Sequence, residues 1–302
     1  MELLLSNVLT SLVNTYMRTQ KPIDKGNGCF MPATAADLNN ARTDPVLMQN
    51  SYMFTKQIRG TAAYWKSVLL RLLAMVKTIG PPTFFVTLSC NDNWPELQAL
   101  VDNGGVQNDP LMAAIAFQKR WSSLLKNVLK NKNPLECVLE YFSRVEFQAR
   151  GSPHMHIFIW SDLGFDFSSV NAEEVVNVIN KTICTKLPDT DTDPDLHELV
   201  RLLQVHKHSF TCKKGQKQCR FDFPRRVCKK TQLCFNPDVI THHRGRFYET
   251  ERGCTDLWVN AYNPVILRHW RANMDIQLVG NADSCAFYVC KYICKAEPEE
   301  LK

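Results

Sequence analysis

Long apolar runs are missing from this sequence of 302 residues; Val68-Leu69-Leu70, for one, meets Arg71 at once, so no membrane-spanning segment is expected. A Gly-x-x-x-x-Gly-Lys-Ser/Thr phosphate loop is missing too, which removes a Walker-type nucleotide site from consideration. Residues Met1-Glu2-Leu3-Leu4-Leu5-Ser6-Asn7 lack the basic start and small-residue cleavage site of a secretory signal, and a protein that is not secreted is expected. Cysteine is not scarce, at 12 residues, but its spread has none of the tight spacing of a disulfide scaffold. Reduced thiols are therefore expected, some of them available to a metal. Excess charge is also slight, +6 overall, so the location of charge matters more than its sum. The alternating acids Asp189, Asp191 and Asp193 fail as a calcium loop, because Pro194 stands where the loop needs Gly and Val200 where it needs Glu.

The remaining material suits a globular protein with a sizeable core, at 45% hydrophobic and 22% charged residues. Residues 1–78 read as a mainly helical segment. Leu3, Leu4, Val8, Leu9, Leu12 and Val13 recur at helical spacing, as do Tyr64, Trp65, Val68, Leu69, Leu72 and Met75, with a Gly- and Pro-containing loop over Lys21–Pro45 between them. Residues 79–302 read as a second domain. Thr83–Ser89 is a buried strand, 111–130 an amphipathic helix, and Leu135–Phe147 a strand that enters a hairpin left through Ile157–Trp160. Asn171 and Glu174 form a capping-box start to a helix ending before Pro188; Leu196–Gln204 is a further helix, and Asn273–Val279 alternates as a strand. The class this predicts is α+β, an antiparallel central sheet flanked by helices.

Chemistry concentrates in Arg144–Trp160. A hairpin centred near Gly151 would set Gln148 opposite His154 and Glu146 opposite His156, with all four on one face. Two imidazoles with a carboxylate or amide on a rigid strand pair make a half-open metal site. The plainer reading is a partly exposed strand that carries two histidines. Asp275 or Gln277 would extend the site if their strand lies beside the hairpin.

A second group follows in a Cys/His-rich basic insert over about 203–234. His206, His208, Cys212 and Cys219 are the ligand types Zn²⁺ prefers, over a short span, against a plainer reading of surface histidines and buried thiols; Cys228 or Cys234 could replace one member. Between Lys207 and Lys230 there are nine Lys or Arg and one acid, with Phe210, Phe221 and Phe223 interleaved. Lys213, Lys214, Lys217, Arg220, Arg225 and Arg226 are the candidate nucleic-acid contacts there, unless the segment is only a solvated basic loop. Near the end, Tyr288 and Tyr292 are i,i+4 neighbours on an expected helix, flanked by Lys291 and Lys295. An ordinary amphipathic helix would account for that spacing taken alone.

Paired histidines and an acid, with tyrosines and lysines, describe one reaction: a divalent cation polarises a phosphodiester, and a tyrosine oxygen attacks phosphorus. His154-Met155-His156, Tyr288-Val289-Cys290-Lys291-Tyr292 and their order resemble the HUH endonucleases, which comprise rolling-circle initiators, relaxases and related transposases. The span from about Gly80 to Glu297 resembles more closely the replication-initiator domain of Helitron-like transposons, through Glu146–His154, Cys219–Arg225 and Asn273–Gln277 as well. That resemblance implies His154 and His156 as ligands of Mg²⁺ or Mn²⁺, with Glu146 or Gln148 as third ligand. It implies Tyr288 and Tyr292 as nucleophiles forming a 5′-phosphotyrosine on single-stranded DNA at transposon ends. A nuclear location and a helicase domain, attached C-terminally or supplied separately, are implied as well. Two other readings compete: a DNA-binding protein derived from such a transposase with a vestigial nuclease site, and a zinc hydrolase of the amidohydrolase type. The latter needs a regular strand–helix alternation that the sequence lacks.

Overall fold

A computed structural model describes residues 23–24, 30–31, 62–100, 109–147, 151–163, 171–213, 219–234, 246–279 and 285. The chain divides into two compact units, Met1–Thr78 with Cys294–Lys302, and Ile79–Ile293. In the first, β1 (Ile23–Asp24) pairs antiparallel with β2 (Phe30–Met31), inside the stretch expected to be loop. Helix α1 (Ala62–Ile79) follows, with Val68 and Leu72 buried one turn apart and Lys77 in its last turn, where a cation complements the helix dipole. The helix expected over Leu3–Val13 lies outside the described residues.

The second unit is built on a four-stranded antiparallel sheet among the described residues. Its strands are β3 (Phe84–Ser89), β4 (Cys137–Phe147), β5 (Pro153–Asp162) and β8 (Met274–Leu278), in the order β4-β5-β3-β8. Alternation along each strand gives the sheet two distinct faces. Phe84, Val86, Leu88, Met155, Ile157, Ile159, Met274, Ile276 and Leu278 belong to one buried core. The opposite side of the same strands carries Thr87, Ser89, Glu146, His154, His156 and Asp275.

Helices cover the core face. After the short α2 (Pro95–Gln98), α3 (Pro110–Leu124) runs into a π-helical turn, Leu125–Leu129. Asp109 caps α3 by accepting from the Met112 backbone, with Pro110 at the first position. Helix α4 (Ala172–Thr182) begins at the capping box expected from Asn171 and Glu174, with both reciprocal bonds made. Helix α5 (Pro194–Leu203) is capped by Asp193, the last of the alternating acids, whose carboxylate also pairs with Arg268. A one-turn α6 (Phe210–Lys213) leads towards the small antiparallel pair β6 (Gln232–Leu233) and β7 (Tyr248–Glu249).

Helix α7 (Pro264–Trp270), which periodicity did not reveal, starts at Asn263 and turns off at Arg271, whose φ of 53° is left-handed. Its last residue, Trp270, is fully buried and meets Trp94 and Phe117 edge-on, at 5.0 and 5.2 Å between ring centroids. The Trp270 indole donates to the Ser89 carbonyl at 2.9 Å, tying this aromatic hub to the end of β3. The Arg120 guanidinium lies 4.5 Å over Trp94 and donates to the Trp270 carbonyl, so the polar edge of the hub is satisfied as well.

Candidate metal and nucleic-acid site

Strand β4 meets β5 two residues out of the register expected from the sequence. Glu146 lies opposite His154 and Arg144 opposite His156, with Phe147 opposite Pro153. Gly151, with φ of 84°, lies on the return side of the reversal. Ser152 fixes that exit: it is buried, its hydroxyl donates to Asp92 at 2.8 Å, and the adjoining Pro153 carbonyl accepts from Cys90. A two-residue shift preserves the face, so Glu146, directly opposite His154, still reaches His156 diagonally. Its carboxylate is 3.4 Å from His156 Nε2. Gln148 lies outside the described residues.

The two imidazoles sit 4.7 Å apart and almost perpendicular. His156 is buried and lies parallel to the Phe85 ring at 5.8 Å, which limits its rotation. His154 has its Nδ1 3.0 Å from the Ser89 hydroxyl. When Nδ1 carries the proton and donates it to Ser89, the Nε2 lone pair is left for a cation, the arrangement of a metal-ligating histidine with an oriented outer partner. Part of the His154 ring is exposed, yet protein surrounds most of it. Burial first, and His156 second, hold the His154 imidazole down at about 3, against an opposing pull from Glu146. A neutral imidazole is what a metal requires.

This shift has a testable consequence for the metal-free protein. The unfolded chain protonates His154 near pH 6.5, whereas the folded protein resists until about 3. Stability conferred by the neutral ring is complete above pH 6.5 and falls by up to about 1.4 kcal/mol per pH unit as acid is added. In EDTA, urea midpoints of His154→Asn should depend less steeply on pH between 6 and 4 than those of the parent; parallel curves would refute the link.

Asp275 lies across β3 from His156. Thr87 of β3 pairs with both His156 and Asp275, so two inter-strand spacings, about 9.5 Å, separate their backbones. Asp275 accepts from Gln277 at 2.8 Å, and burial pushes its carboxyl up against the opposing pull of the Gln277 hydrogen bond, Arg246 and Arg225. Arg225 is thus drawn inward: it lies 4.9 Å from the Phe223 ring and 3.8 Å from Asp222, and burial lowers its guanidinium to about 9. Arg220, stacked 4.4 Å over Phe221, and Arg226 are exposed, and Lys213 is half-buried. Lys214 and Lys217 lie outside the described residues, as do Tyr288, Lys291, Tyr292 and Lys295.

The second candidate group comes together from separate pieces of backbone. His206 follows α5, Cys212 lies in α6, and Cys219 opens the next segment, yet the ligand atoms of His206, His208, Cys212 and Cys219 all lie within 4.8 Å of one another. The Ser209 backbone N–H donates to Cys212 Sγ at 3.2 Å and lowers that thiol. Cys228 instead donates to the Lys230 carbonyl at 3.0 Å, and Cys234 lies beside β6 with its backbone bonded to Phe247.

Two positions on the sheet face went unassigned in the sequence reading. Arg144 is buried in register with His156, and Ser89 orients His154. The signal for Arg144 was its place two residues before Glu146, which puts both on one face; nothing local marks Ser89, which arrives from a strand 65 residues away.

Residues 10–159 match the family described as the Helitron helicase-like domain at N-terminus. That span opens in the first unit, well before Gly80, where the resemblance in sequence begins, and includes Ser89, Arg144, Glu146, His154 and His156. No curated protein matches the chain.

Proposed function

The chain belongs, through residues 10–159, to the Helitron helicase-like N-terminal family, and from that premise we propose that it is a metal-dependent single-stranded DNA endonuclease and strand transferase of a rolling-circle, Helitron-like transposon. The observation that carries this reading is the convergence of His154, His156 and Glu146 on one sheet face, with Ser89 orienting the first. Two imidazoles and one carboxylate fit a divalent cation with open positions, and their nitrogen content favours Mn²⁺ over Mg²⁺. Such a cation, when bound, would polarise the scissile phosphate and offset charge in the transition state.

The protein's own groups would do the rest. Ser89 keeps His154 in a ligating tautomer, Phe85 restricts His156, and Arg144 contributes positive charge beside it. Tyr288 or Tyr292 would attack phosphorus in line: the new Oη–P bond replaces the P–O3′ bond, the phenol gives up its proton, and the leaving strand takes one to end as a 3′-hydroxyl. Lys291 and Lys295 would favour the phenolate and hold the phosphate. The exposed Arg220 and Arg226, with Phe221, would track the single strand. Nuclear action, with a helicase domain in cis or in trans, completes the proposal.

The test is to incubate the protein with end-labelled single-stranded oligonucleotides in Mn²⁺ and resolve products on denaturing gels. A covalent protein–DNA band that EDTA prevents is expected, and Tyr288→Phe with Tyr292→Phe together should abolish it while gel-shift binding persists. Adducts that survive the double substitution would overturn the tyrosine assignment. Binding without any adduct, across a scanning set of sequences, would leave a DNA-binding protein only.

A further inference from the structure

We propose that His206, His208, Cys212 and Cys219 bind a structural Zn²⁺ ion, a centre separate from the His154–His156 pair, which ties Cys212 in α6 and Cys219 to the two histidines that follow α5. This does not rest on the nuclease reading. Four ligand atoms within 4.8 Å of one another already approximate a coordination polyhedron. Cys219 Sγ lies 3.4 Å from His206 Nε2, and Cys212 Sγ lies 3.5 Å from His208 Nδ1. With Zn–S near 2.3 Å and Zn–N near 2.0–2.1 Å, a tetrahedral S···N edge is about 3.5 Å. Both observed sulfur–nitrogen separations therefore equal the edge a zinc ion would impose.

The surroundings are arranged for thiolates. The Ser209 N–H donates to Cys212 Sγ at 3.2 Å and the Phe221 N–H to Cys219 Sγ at 3.4 Å, so each sulfur has a backbone donor, as metal-bound sulfurs commonly do. Both cysteines are buried. His206 is stacked on Phe223 at 4.5 Å with its backbone N–H bonded to the Trp258 carbonyl, and His208 meets Trp258 edge-on at 5.0 Å. Two thiolates and two imidazoles select zinc over Mg²⁺, Ca²⁺ or Mn²⁺, which prefer oxygen.

A mechanical reason supports the same conclusion. Among the described residues, Cys212, Cys219 and Phe223 form a separate apolar cluster, with Phe221 and Trp258 packed against it. So few side chains make a poor anchor for the backbone that carries Lys213 and Arg220 beside the two cysteines. A metal clasp supplies the constraint the small core lacks.

The full chain, purified under reducing conditions, should contain one equivalent of zinc by plasma mass spectrometry. Replacing that zinc with Co²⁺ should give the intense visible bands of a tetrahedral thiolate site. His154→Gln with His156→Gln should leave both signals unchanged, whereas Cys219→Ser should remove them. Because Cys219→Ser alters a buried residue as well as a ligand, His208→Ala at the exposed ligand provides the second variant; it should weaken the metal at least tenfold in competition with a chromogenic chelator. Metal-free protein with all thiols titrating freely, a Cys212–Cys219 disulfide in its place, or a cobalt spectrum indifferent to Cys219→Ser would each overturn the assignment.

Discussion

His156→Gln is expected to lower metal-dependent cleavage of single-stranded DNA at least roughly 100-fold, since even the outer partners of metal ligands typically cost 10–100-fold when removed. Gln keeps a polar side chain of related bulk, so the parallel contact with Phe85 is weakened but the strand pairing is not interrupted. The lost element is Nε2, 3.4 Å from the Glu146 carboxylate and turned towards the same space as the His154 ring. Binding of single-stranded DNA should persist, because the exposed Arg220 and Arg226 lie elsewhere in the chain. The decisive comparison is initial cleavage rate against Mn²⁺ concentration for parent and variant, with thermal unfolding and gel-shift affinity as controls. Undiminished cleavage at the same Mn²⁺ concentration would take His156 out of the metal site.

The four strands of the central sheet and the helices α3, α4 and α5 were legible because each announces itself locally. The capping box at Asn171 is a sequence signature with a fixed hydrogen-bond meaning, and both bonds form. Register was not legible, because it depends on contacts from outside the hairpin. Ser152 is held by Asp92 and Pro153 by Cys90, residues some 60 positions earlier that no hairpin pattern contains. Strand order was hidden for a related reason: β3 inserts between β5 and β8, so Asp275 shares a row with His156 from one strand further away. Helix α7 was missed for its brevity, although Asn263-Pro264 is a cap-and-first-turn signal that a search for long periodicity passes over. The His/Cys group could be read from ligand type and closeness in sequence, since a short span limits how far its members can separate.

The largest expected loss of stability is at Trp270, far from the histidines in sequence and joined to them through Ser89. Trp270→Ala removes a fully buried indole from between Trp94 and Phe117, which pack edge-on against it at interplanar angles of 84° and 89°. Truncating a buried Trp costs about 3–5 kcal/mol, a large share of the roughly 5–15 kcal/mol by which a domain is stable. Losing the indole N–H adds a second effect, because the Ser89 carbonyl then lacks the donor that reaches it at 2.9 Å. Ser89 ends β3, and its hydroxyl is what orients His154 Nδ1. Damage at the hub should therefore travel along one residue into the metal site. Trp270→Phe separates the two contributions: it retains most of the ring packing and deletes only the donor. It should cost about 1–3 kcal/mol, while lowering Mn²⁺ affinity beyond what Leu267→Ala, a buried substitution on the same helix, produces. Urea unfolding of the three variants and the parent, with Mn²⁺ titrations of each, checks both parts. An unchanged urea midpoint for Trp270→Ala would refute the hub, and equal Mn²⁺ affinities for Trp270→Phe and Leu267→Ala would break its connection through Ser89 to His154.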